Sequence, residues 1–258
     1  MSDELDQWLL DQFSYKGRRV LVTGASRGIG QALALGFARA GAELVVAART
    51  ETALNDTLDQ IGALGGTARG IAFDQTDAGA IGPALAEIGP VDVLVNNAGT
   101  EEVRPALEVD EALWDKIADT NLKGAFFVAQ AAAKGMAAQG GGSIINLASL
   151  TSFVGVPTAV PYTASKSGIL GMTRALAAEW APLRIRVNAI APGYFRTDLT
   201  EVFYQNKAWV QAMTESVPMG RLGELQDLVG AALFLGGRAS AYVTGQCLTI
   251  DGGNLAAI

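Results

Sequence analysis

Short apolar runs alternate along this chain with longer segments in which apolar residues recur at helical spacing. A short apolar run is typical of a buried strand, and a recurrence every three to four residues predicts a helix. The predicted strands are Arg19–Thr23, Glu43–Ala47, Ala68–Phe73, Val91–Asn96, Ser143–Ala148, Ile185–Ile190 and Gln246–Ile250. The longer segments predicted as helices include Gly28–Ala40, Ala112–Ala138, Thr163–Trp180 and Asp227–Leu235.

This alternation predicts an α/β protein with a single doubly wound parallel sheet of seven strands and helices on both faces, which is a Rossmann fold. Each crossover is expected to be right-handed. No repeat or linker divides the chain, so residues 17–258 are predicted to form a single domain after an N-terminal strap, residues 1–16. Apolar residues of the strap suit one face of a short helix that packs on the domain or on a neighbouring subunit: Trp8, Leu9, Leu10 and Phe13.

The amino-acid composition excludes several catalytic mechanisms and metal-site types. The 258 residues include no histidine and one cysteine, and the formal net charge is −7. Without histidine, the chain cannot use Ser-His-Asp hydrolysis or histidine zinc ligands, and we expect no metal. The acidic balance argues against a nucleic-acid partner. The start of the chain lacks a basic signal region, no window is apolar enough to span a membrane, and we expect a cytoplasmic protein without a membrane partner.

The first predicted strand leads directly into a glycine-rich segment, Thr23–Gly30, and a predicted helix follows. Gly24 permits a tight turn, Gly28 lets the backbone approach a phosphate, and Gly30 lets the helix pack closely on the strand. A pyrophosphate would then bind at the positive N-terminus of the helix. In the first strand-to-helix turn of an alternating series, this pattern predicts a dinucleotide site.

Residues 24–28 also match the G-x-S-x-G turn that carries the nucleophile of α/β-hydrolases. That turn needs a histidine base, which this chain does not contain. We therefore reject the hydrolase interpretation and expect Ser26 to bind phosphate.

The end of the second predicted strand bears on which cofactor binds. In NAD-binding folds an acidic residue there binds the ribose hydroxyls. Here Ala48 stands in its place and Arg49 follows. Arginine pairs well with a phosphate, and Arg27 of the glycine-rich segment is available to help. The sequence therefore favours NADP(H) and leaves NAD(H) open.

Further motifs follow in order: Asp74, Asn96–Gly99, Asn121, Ser149, Tyr162–Lys166, Pro192–Gly193 and Asp251–Gly253. Together with the glycine-rich segment, they resemble the short-chain dehydrogenase/reductase family over nearly the whole stretch from Lys16 to Gly253. The resemblance implies an enzyme that moves a hydride between a nicotinamide cofactor and the carbonyl or alcohol carbon of a small molecule.

The resemblance also implies four catalytic residues. Tyr162 would exchange a proton with the substrate oxygen, and the ordinary tyrosine pKa of about 10 is high for this work at neutral pH. Lys166 lies one helical turn later on the same face, so its charge is expected to favour the phenolate, and it would also bind the nicotinamide ribose. Ser149 would hold the substrate oxygen. Asn121 would hold a water that relays protons to the lysine.

Other cofactor contacts come from the same resemblance. They are Ile29 in the glycine-rich segment, Asp74 facing adenine, Asn97, Ala98 and Gly99 beside the adenosine ribose, and Pro192, Gly193, Phe195 and Thr197 on the nicotinamide side. Asn96 is expected to be structural.

Residues 194–220 are predicted to form a lid over the substrate, which is where this family sets much of its specificity. Its large side chains include Phe203, Tyr204, Trp209 and Met213. We expect the opposite wall to come from Leu150, Phe153, Val154, Val156 and Pro161. Glu101 and Glu102 follow the fourth predicted strand near the presumed cleft, where they could contact substrate, but we expect them to lie in a solvated loop.

The sequences of the segment before the first strand and of the segment after Gly193 look closest to the gluconate 5-dehydrogenase-like branch of the family. Similarity to 3-oxoacyl-ACP reductases is nearly as good. The predicted reaction interconverts a carbonyl and a secondary alcohol on a sugar acid, a polyol or another small ketone. A cofactor-binding protein without catalysis is an alternative of another class, and the presence of Tyr162 and Lys166 argues against it. The resemblance also implies a homotetramer.

Overall fold

The computed structural model describes residues 2–197 and 200–257. Its strands are β1 (Arg19–Thr23), β2 (Glu43–Ala48), β3 (Thr67–Ala72), β4 (Val93–Asn96), β5 (Gly142–Leu147), β6 (Ile185–Pro192) and β7 (Cys247–Ile250). They form a seven-stranded sheet in the order β3-β2-β1-β4-β5-β6-β7, and every pairing is parallel. The predicted fold class is confirmed, and each predicted strand lies within two residues of its observed bounds.

Helices connect these strands. In the described part of the chain they are α1 (Ser2–Phe13), α2 (Gly28–Arg39), α3 (Asn55–Ala63), α4 (Ala78–Ile88), α5 (Glu111–Ala118), α6 (Ala125–Gln139), α7 (Val160–Trp180), α8 (Glu201–Tyr204), α9 (Lys207–Ser216) and α10 (Val229–Gly236). Across residues 2–197 and 200–257, no helix combines the length and the apolar character needed to cross a membrane.

The sheet is buried on both faces because side chains of a strand point alternately to opposite sides. Val20 and Val22 of β1 pack in one apolar cluster with Phe37 of α2 and with residues of α10. Leu21, between them, packs in a second cluster with Met136 of α6 and with residues of α4 and α7. This arrangement explains why the strands read as continuous apolar runs rather than as alternating ones.

β1 and β4 are neighbours at the centre of the sheet, yet the chain leaves them in opposite directions. From β1 the order moves outward to β2 and β3, and from β4 it moves outward to β5, β6 and β7. The connections therefore diverge at the carboxyl ends of β1 and β4 and leave a crevice, which is where ligands bind in such sheets.

The predicted helix Ala112–Ala138 is not continuous. A π-helical segment, Asp119–Gly124, separates α5 from α6. A Cβ added to Gly124 would lie 2.5 Å from the carbonyl oxygen of Gln75, so this turn needs glycine to pack on the loop after β3. The extra residue in the turn brings Asn121 into the interior, where its side chain is buried.

The predicted strap forms the helix α1, but its apolar face is not covered by the domain. Trp8 and Leu10 are each 59 % exposed and Phe13 is 44 % exposed, and the side chain of Leu9 lies outside the described residues. The expectation that this face packs on the domain is therefore wrong for the described side chains. Packing on a neighbouring subunit stays a prediction.

We predict that Gly36→Ala destabilises the protein by about 1–3 kcal/mol, because the crowded interface between α2 and α10 has no room for a methyl group. The added Cβ would lie 2.5 Å from Cγ1 of Val229. Gly230→Ala in α10 is the matched control: no atom lies within 4 Å of its added Cβ, so the better helix propensity of alanine should leave stability unchanged or higher by up to ~1 kcal/mol. Urea unfolding measures both, and equal stability of the two variants would contradict the packing argument.

Candidate active site

A cleft of about 1060 Å³ opens at the carboxyl edge of the sheet. It is bounded by the glycine-rich segment, by the ends of β2, β4, β5 and β6, and by the start of α7. Every predicted site residue lines it except Asn121: Gly24, Ser26, Arg27, Gly28, Ile29, Gly30, Arg49, Asp74, Asn97, Ala98, Gly99, Ser149, Tyr162, Lys166, Pro192, Gly193, Phe195 and Thr197. The tertiary structure thus brings together residues that are spread over most of the chain.

The glycine-rich segment has the geometry of a phosphate cradle. Gly24 and Gly28 adopt left-handed backbone angles, with φ of 63° and 57°. A Cβ on Gly24 would lie 2.7 Å from Cα of Ala98, and one on Gly30 would collide with the carbonyl oxygen of Gly24. The helix α2 begins at Gly28, so its unpaired N–H groups face the cleft. A side chain at Gly24 or Gly30 would therefore push the turn away from the segment after β4 or distort the turn itself.

Thr23 ties this cradle to the neighbouring strand. Its hydroxyl accepts hydrogen bonds from the backbone N–H groups of Asn97 and Ala98, both at 3.0 Å. In return, the Asn97 side-chain amide donates to the carbonyl oxygens of Thr23 at 2.9 Å and Gly24 at 3.1 Å. The Asn97 amide nitrogen therefore holds the turn, rather than being free for a cofactor. Sequence reasoning missed the role of Thr23, although a threonine that ends a strand just before a glycine turn was a usable signal.

The nucleotide end of the cleft carries two arginines and an aspartate. Arg49 directly follows β2 and is exposed at the cleft, and Arg27 is the residue before α2. Asp74 follows β3, and its Oδ1 accepts from the backbone N–H of Thr76 at 2.9 Å and from the Thr76 hydroxyl at 2.8 Å. The second carboxylate oxygen of Asp74 is not part of that turn.

Tyr162, Lys166 and Ser149 meet at the other end. Tyr162 and Lys166 lie one turn apart on α7, and the Lys166 Nζ is 5.6 Å from the centre of the Tyr162 ring. Nζ donates a 2.6 Å hydrogen bond to the carbonyl oxygen of Leu147, at the end of β5. Ser149 follows the same strand, and its hydroxyl lies close enough to Tyr162 to lower the pKa of the phenol. The end of β5 thus positions both Lys166 and Ser149 beside Tyr162.

The electrostatics of this group differ from those predicted from sequence. Burial raises the pKa of Tyr162 above its ordinary value, Glu101 adds to the rise, and the Ser149 hydroxyl opposes it. Burial also lowers the pKa of Lys166 to about 8, and Glu101 opposes that change. In the chain by itself, burial of the phenol therefore works against the lowering of the Tyr162 pKa expected from Lys166. The lowering expected with the oxidised nicotinamide bound stays a prediction.

Asn121 lies behind the cleft rather than in its wall. Its Oδ1 accepts from the backbone N–H of Thr100 at 2.7 Å, and its Nδ2 donates to the Thr100 carbonyl at 2.8 Å and to the Ser165 hydroxyl at 3.2 Å. The side chain therefore clamps the loop after β4 onto α7. The predicted water relay through Asn121 stays a prediction.

The predicted lid carries an aromatic cluster over the cleft. The Trp209 ring packs edge-on against Tyr194 and Tyr204, with ring centres 5.7 and 5.5 Å apart. All three rings line the cleft, whereas Met213 does not. Residues 198 and 199 and the side chain of Phe203 lie outside the described residues.

The opposite wall is only partly as predicted. Leu150 and Val156 line the cleft, and Pro157 and Thr158 join them. Phe153, Val154 and Pro161 do not line it, because the turn after Ser149 and the start of α7 direct them elsewhere.

Glu101 and Glu102 separate, although they are adjacent in sequence. Glu102 forms ion pairs with Arg104 at 2.6 Å and Lys116 at 3.0 Å on the outside of the loop. Glu101 instead is half-buried and lines the cleft, within electrostatic range of Tyr162 and Lys166. The expectation of a solvated loop is therefore wrong for Glu101, since the clamp on Thr100 turns the next residue inward.

Comparison with known families identifies the chain. Residues 18–208 match the family model described as short chain dehydrogenase. This protein belongs to the short-chain dehydrogenase family. The predicted recognition is confirmed, and the chain is an oxidoreductase of that family acting on CH–OH groups.

Individual relatives cover nearly the whole length. The chain is 41 % identical over 247 residues to a gluconate 5-dehydrogenase of Gluconobacter oxydans, covering 94 % of this chain and 96 % of the relative. It is 41 % identical over 246 residues to an L-tagatose-forming galactitol 2-dehydrogenase of Cereibacter sphaeroides, covering 93 % and 96 %. The crystal structure of a gluconate 5-dehydrogenase from Burkholderia cenocepacia in complex with NADP and tartrate superposes with a TM-score of 0.94 at 38 % identity, covering 97 % of this chain and 100 % of the other.

Two further observations concern Cys247 and the side-chain types that bind metals. Burial raises the pKa of the Cys247 thiol to about 11, so it stays an unreactive thiol in β7 at neutral pH. Within the described ranges, no group of three or more acidic or cysteine side chains is placed to hold a metal ion.

We predict that Thr23→Val weakens NADPH binding at least about tenfold and destabilises the protein by about 1–3 kcal/mol. Valine has a similar shape but leaves two backbone N–H groups without their acceptor, which loosens the cradle. Thr23→Ser keeps the hydroxyl and is the matched control, with expected binding close to that of the wild type. Fluorescence titration with NADPH and urea unfolding measure the two effects. Wild-type binding by Thr23→Val would contradict the role given to the hydroxyl.

Proposed function

We propose that this chain is an NADP(H)-dependent oxidoreductase that interconverts a carbonyl and a secondary alcohol on a small polyhydroxylated molecule. The observation that carries the proposal is the convergence of Tyr162, Lys166 and Ser149 on one cleft with the glycine-rich segment. A site of this kind needs a dinucleotide cradle and a proton donor within reach of one substrate, and the described cleft contains both.

Tyr162 acts as the general acid when a carbonyl is reduced. The buried phenol, with its raised pKa, is held in the protonated form that a proton donor needs. Ser149, whose hydroxyl acts on Tyr162, orients the substrate oxygen toward the phenolic proton. In the oxidation direction the same tyrosine takes the proton back, and the Lys166 ammonium stabilises the resulting negative charge.

The residues around the cradle fit a phosphorylated dinucleotide. The bare glycine surface at Gly24 and Gly28 and the N-terminus of α2 would hold the pyrophosphate, and Lys166 would hold the nicotinamide ribose. Arg49 would pair with the 2′-phosphate, since Ala48 leaves no carboxylate to repel it. When bound, the nicotinamide supplies or accepts the hydride. Asp74 would face the adenine.

The substrate class follows from the relatives. One of them is named for gluconate and another for galactitol, so both a sugar acid and a polyol are compatible with this family branch. No contact in the cleft favours the 3-oxoacyl-ACP reductase alternative specifically. The proposal therefore keeps to polyhydroxylated substrates with a secondary alcohol.

The proposal includes a cytoplasmic location and a homotetrameric assembly, as the family resemblance implies. The lone cysteine suits a reducing compartment. Exposed apolar side chains away from the cleft, such as Leu107 and Tyr242, are compatible with burial in an assembly.

We predict that Tyr162→Phe lowers kcat/KM by about 10²–10⁴-fold, because the group that takes the proton from the substrate oxygen in oxidation, and returns it in reduction, is lost. NADPH binding should stay within about threefold of the wild type, since the phenyl ring remains in place. Tyr242→Phe, which removes a hydroxyl from a fully exposed tyrosine, is the control. Steady-state kinetics with alditols and aldonates as substrates and NADP⁺ measures the effect. Retained activity in Tyr162→Phe would refute the assigned role.

We predict that Arg49→Asp weakens NADPH binding by about 10–100-fold and leaves or improves NADH binding, because a carboxylate repels the 2′-phosphate and suits a ribose diol. Arg39→Asp makes the same charge change on an exposed arginine outside the cleft and serves as the control. Fluorescence titration with both dinucleotides measures the preference. Stronger binding of NADH by the wild type, with no response to Arg49→Asp, would show that the cofactor is NAD(H).

A further inference from the structure

Glu101 brings a carboxylate into the catalytic end of the cleft. It is half-buried and lines the cavity together with Tyr162 and Lys166. Its negative charge adds to the rise in the pKa of Tyr162 and opposes the lowering of the pKa of Lys166 by burial. Among the described residues, its carboxylate has no hydrogen bond and no ion pair within 4.0 Å. The acceptor capacity of this group is therefore available to a molecule in the cleft.

The loop that carries Glu101 is held at both ends. The Asn121 side chain binds both the N–H and the carbonyl of Thr100, immediately before Glu101. At the other end, the backbone N–H of Arg104 donates to the carbonyl oxygen of Thr158 at 2.8 Å. Glu101 is thus presented to the cleft by a clamped backbone rather than by a loose loop, which is what a specificity contact requires.

The positive charges near the catalytic end already have partners. Lys116 and Arg104 are bound to Glu102, and Arg104 also pairs with Asp110 at 2.9 Å. Arg196 of the lid forms a two-point ion pair with Glu201, at 2.8 and 2.7 Å. The Lys166 ammonium donates to the Leu147 carbonyl.

The arginines that line the cleft, Arg27 and Arg49, both belong to its nucleotide end. Arg27 precedes α2 in the glycine-rich segment, and Arg49 follows β2. Of the lysines that line the cleft, Lys116 is paired with Glu102. Lys166 already interacts with Glu101 and lies beside Tyr162. A substrate carboxylate next to Glu101 would therefore meet a negative charge for which these lysines provide no separate partner. In a partly desolvated cleft, repulsion between two such charges is stronger than in water.

The carboxylate of Glu101 suits a hydroxylated substrate. A carboxylate is a strong acceptor for a hydroxyl, and this one has no hydrogen-bond partner of its own among the described residues.

We propose that Glu101 is a specificity-determining residue that selects an uncharged polyol, or the ketose formed from it, over the corresponding sugar acid. This inference rests on the proposed function and narrows its substrate class. Discrimination arises in two ways at once: Glu101 accepts a hydrogen bond from a substrate hydroxyl, and it repels a substrate carboxylate.

Matched substrate pairs test the proposal. D-glucitol and D-gluconate differ in a CH₂OH or a carboxylate at C1, and galactitol and D-galactonate form a second pair. With NADP⁺, we expect the wild type to show a kcat/KM at least about tenfold higher for the preferred alditol than for its aldonate. Glu101→Gln keeps the size of the side chain and removes its charge, and it should narrow this ratio at least about tenfold, chiefly by lowering KM for the aldonate.

Glu108→Gln is the matched control, because it removes an exposed charge of the same loop outside the cleft and should leave the ratio unchanged. NADPH titration verifies that each variant retains a folded cofactor site. A wild type that prefers the aldonate, or a ratio that Glu101→Gln does not change, would overturn the inference while leaving the oxidoreductase proposal in place. Absence of NADP⁺ reduction with all four substrates, and of NADPH oxidation with the corresponding ketoses and keto acids, would overturn the proposed substrate class, and the inference with it.

Discussion

The structure depends on the contact between the ends of two neighbouring parallel strands, β1 and β4. The Thr23 hydroxyl accepts hydrogen bonds from two backbone N–H groups of the segment after β4. The Asn97 side-chain amide donates two hydrogen bonds to carbonyl oxygens of the glycine turn. These bonds hold the turn open toward the cleft, with the N-terminus of α2 behind it. Because the two connections diverge at this point, the same contact defines both the cradle and the crevice in which a ligand can lie.

The second constraint is the burial of ionisable side chains, which changes their pKa values. Lys166 is 5 % exposed, and burial lowers its pKa while it raises those of Tyr162 and Glu101. A lysine, a tyrosine and a carboxylate in one desolvated cleft control each other's protonation more than any of them would in water. The negative charge of Glu101 favours protonated Lys166 and protonated Tyr162, which is the state that reduction of a carbonyl requires. One residue thus influences both the acid and the choice of substrate.

Much of the fold and of the site was predictable because its signals are local. Each buried strand is a short apolar run, and the residues that need special backbone geometry, such as Gly24 and Gly28, are visible as glycines before a helix. The motif of Tyr162 and Lys166 places both on one helix face, which the structure confirms. By contrast, Phe153 was assigned to the substrate wall on polarity alone, and polarity does not specify the direction in which a side chain leaves an irregular turn.

The sequence alone determined the fold class, the family and the set of residue types that surround the cleft, because these follow from periodicity and from motifs in a fixed order. Only the tertiary structure decided what those residues do to one another. In the tertiary structure the Asn97 amide is hydrogen-bonded to the glycine turn, and Asn121 lies behind the wall of the cleft. Glu101 lines the cleft, whereas Glu102 forms ion pairs outside it. The physical reason is that hydrogen-bond partners and desolvation depend on chain segments that are far apart in sequence, such as Thr100 and Ser165, and no local pattern records their proximity.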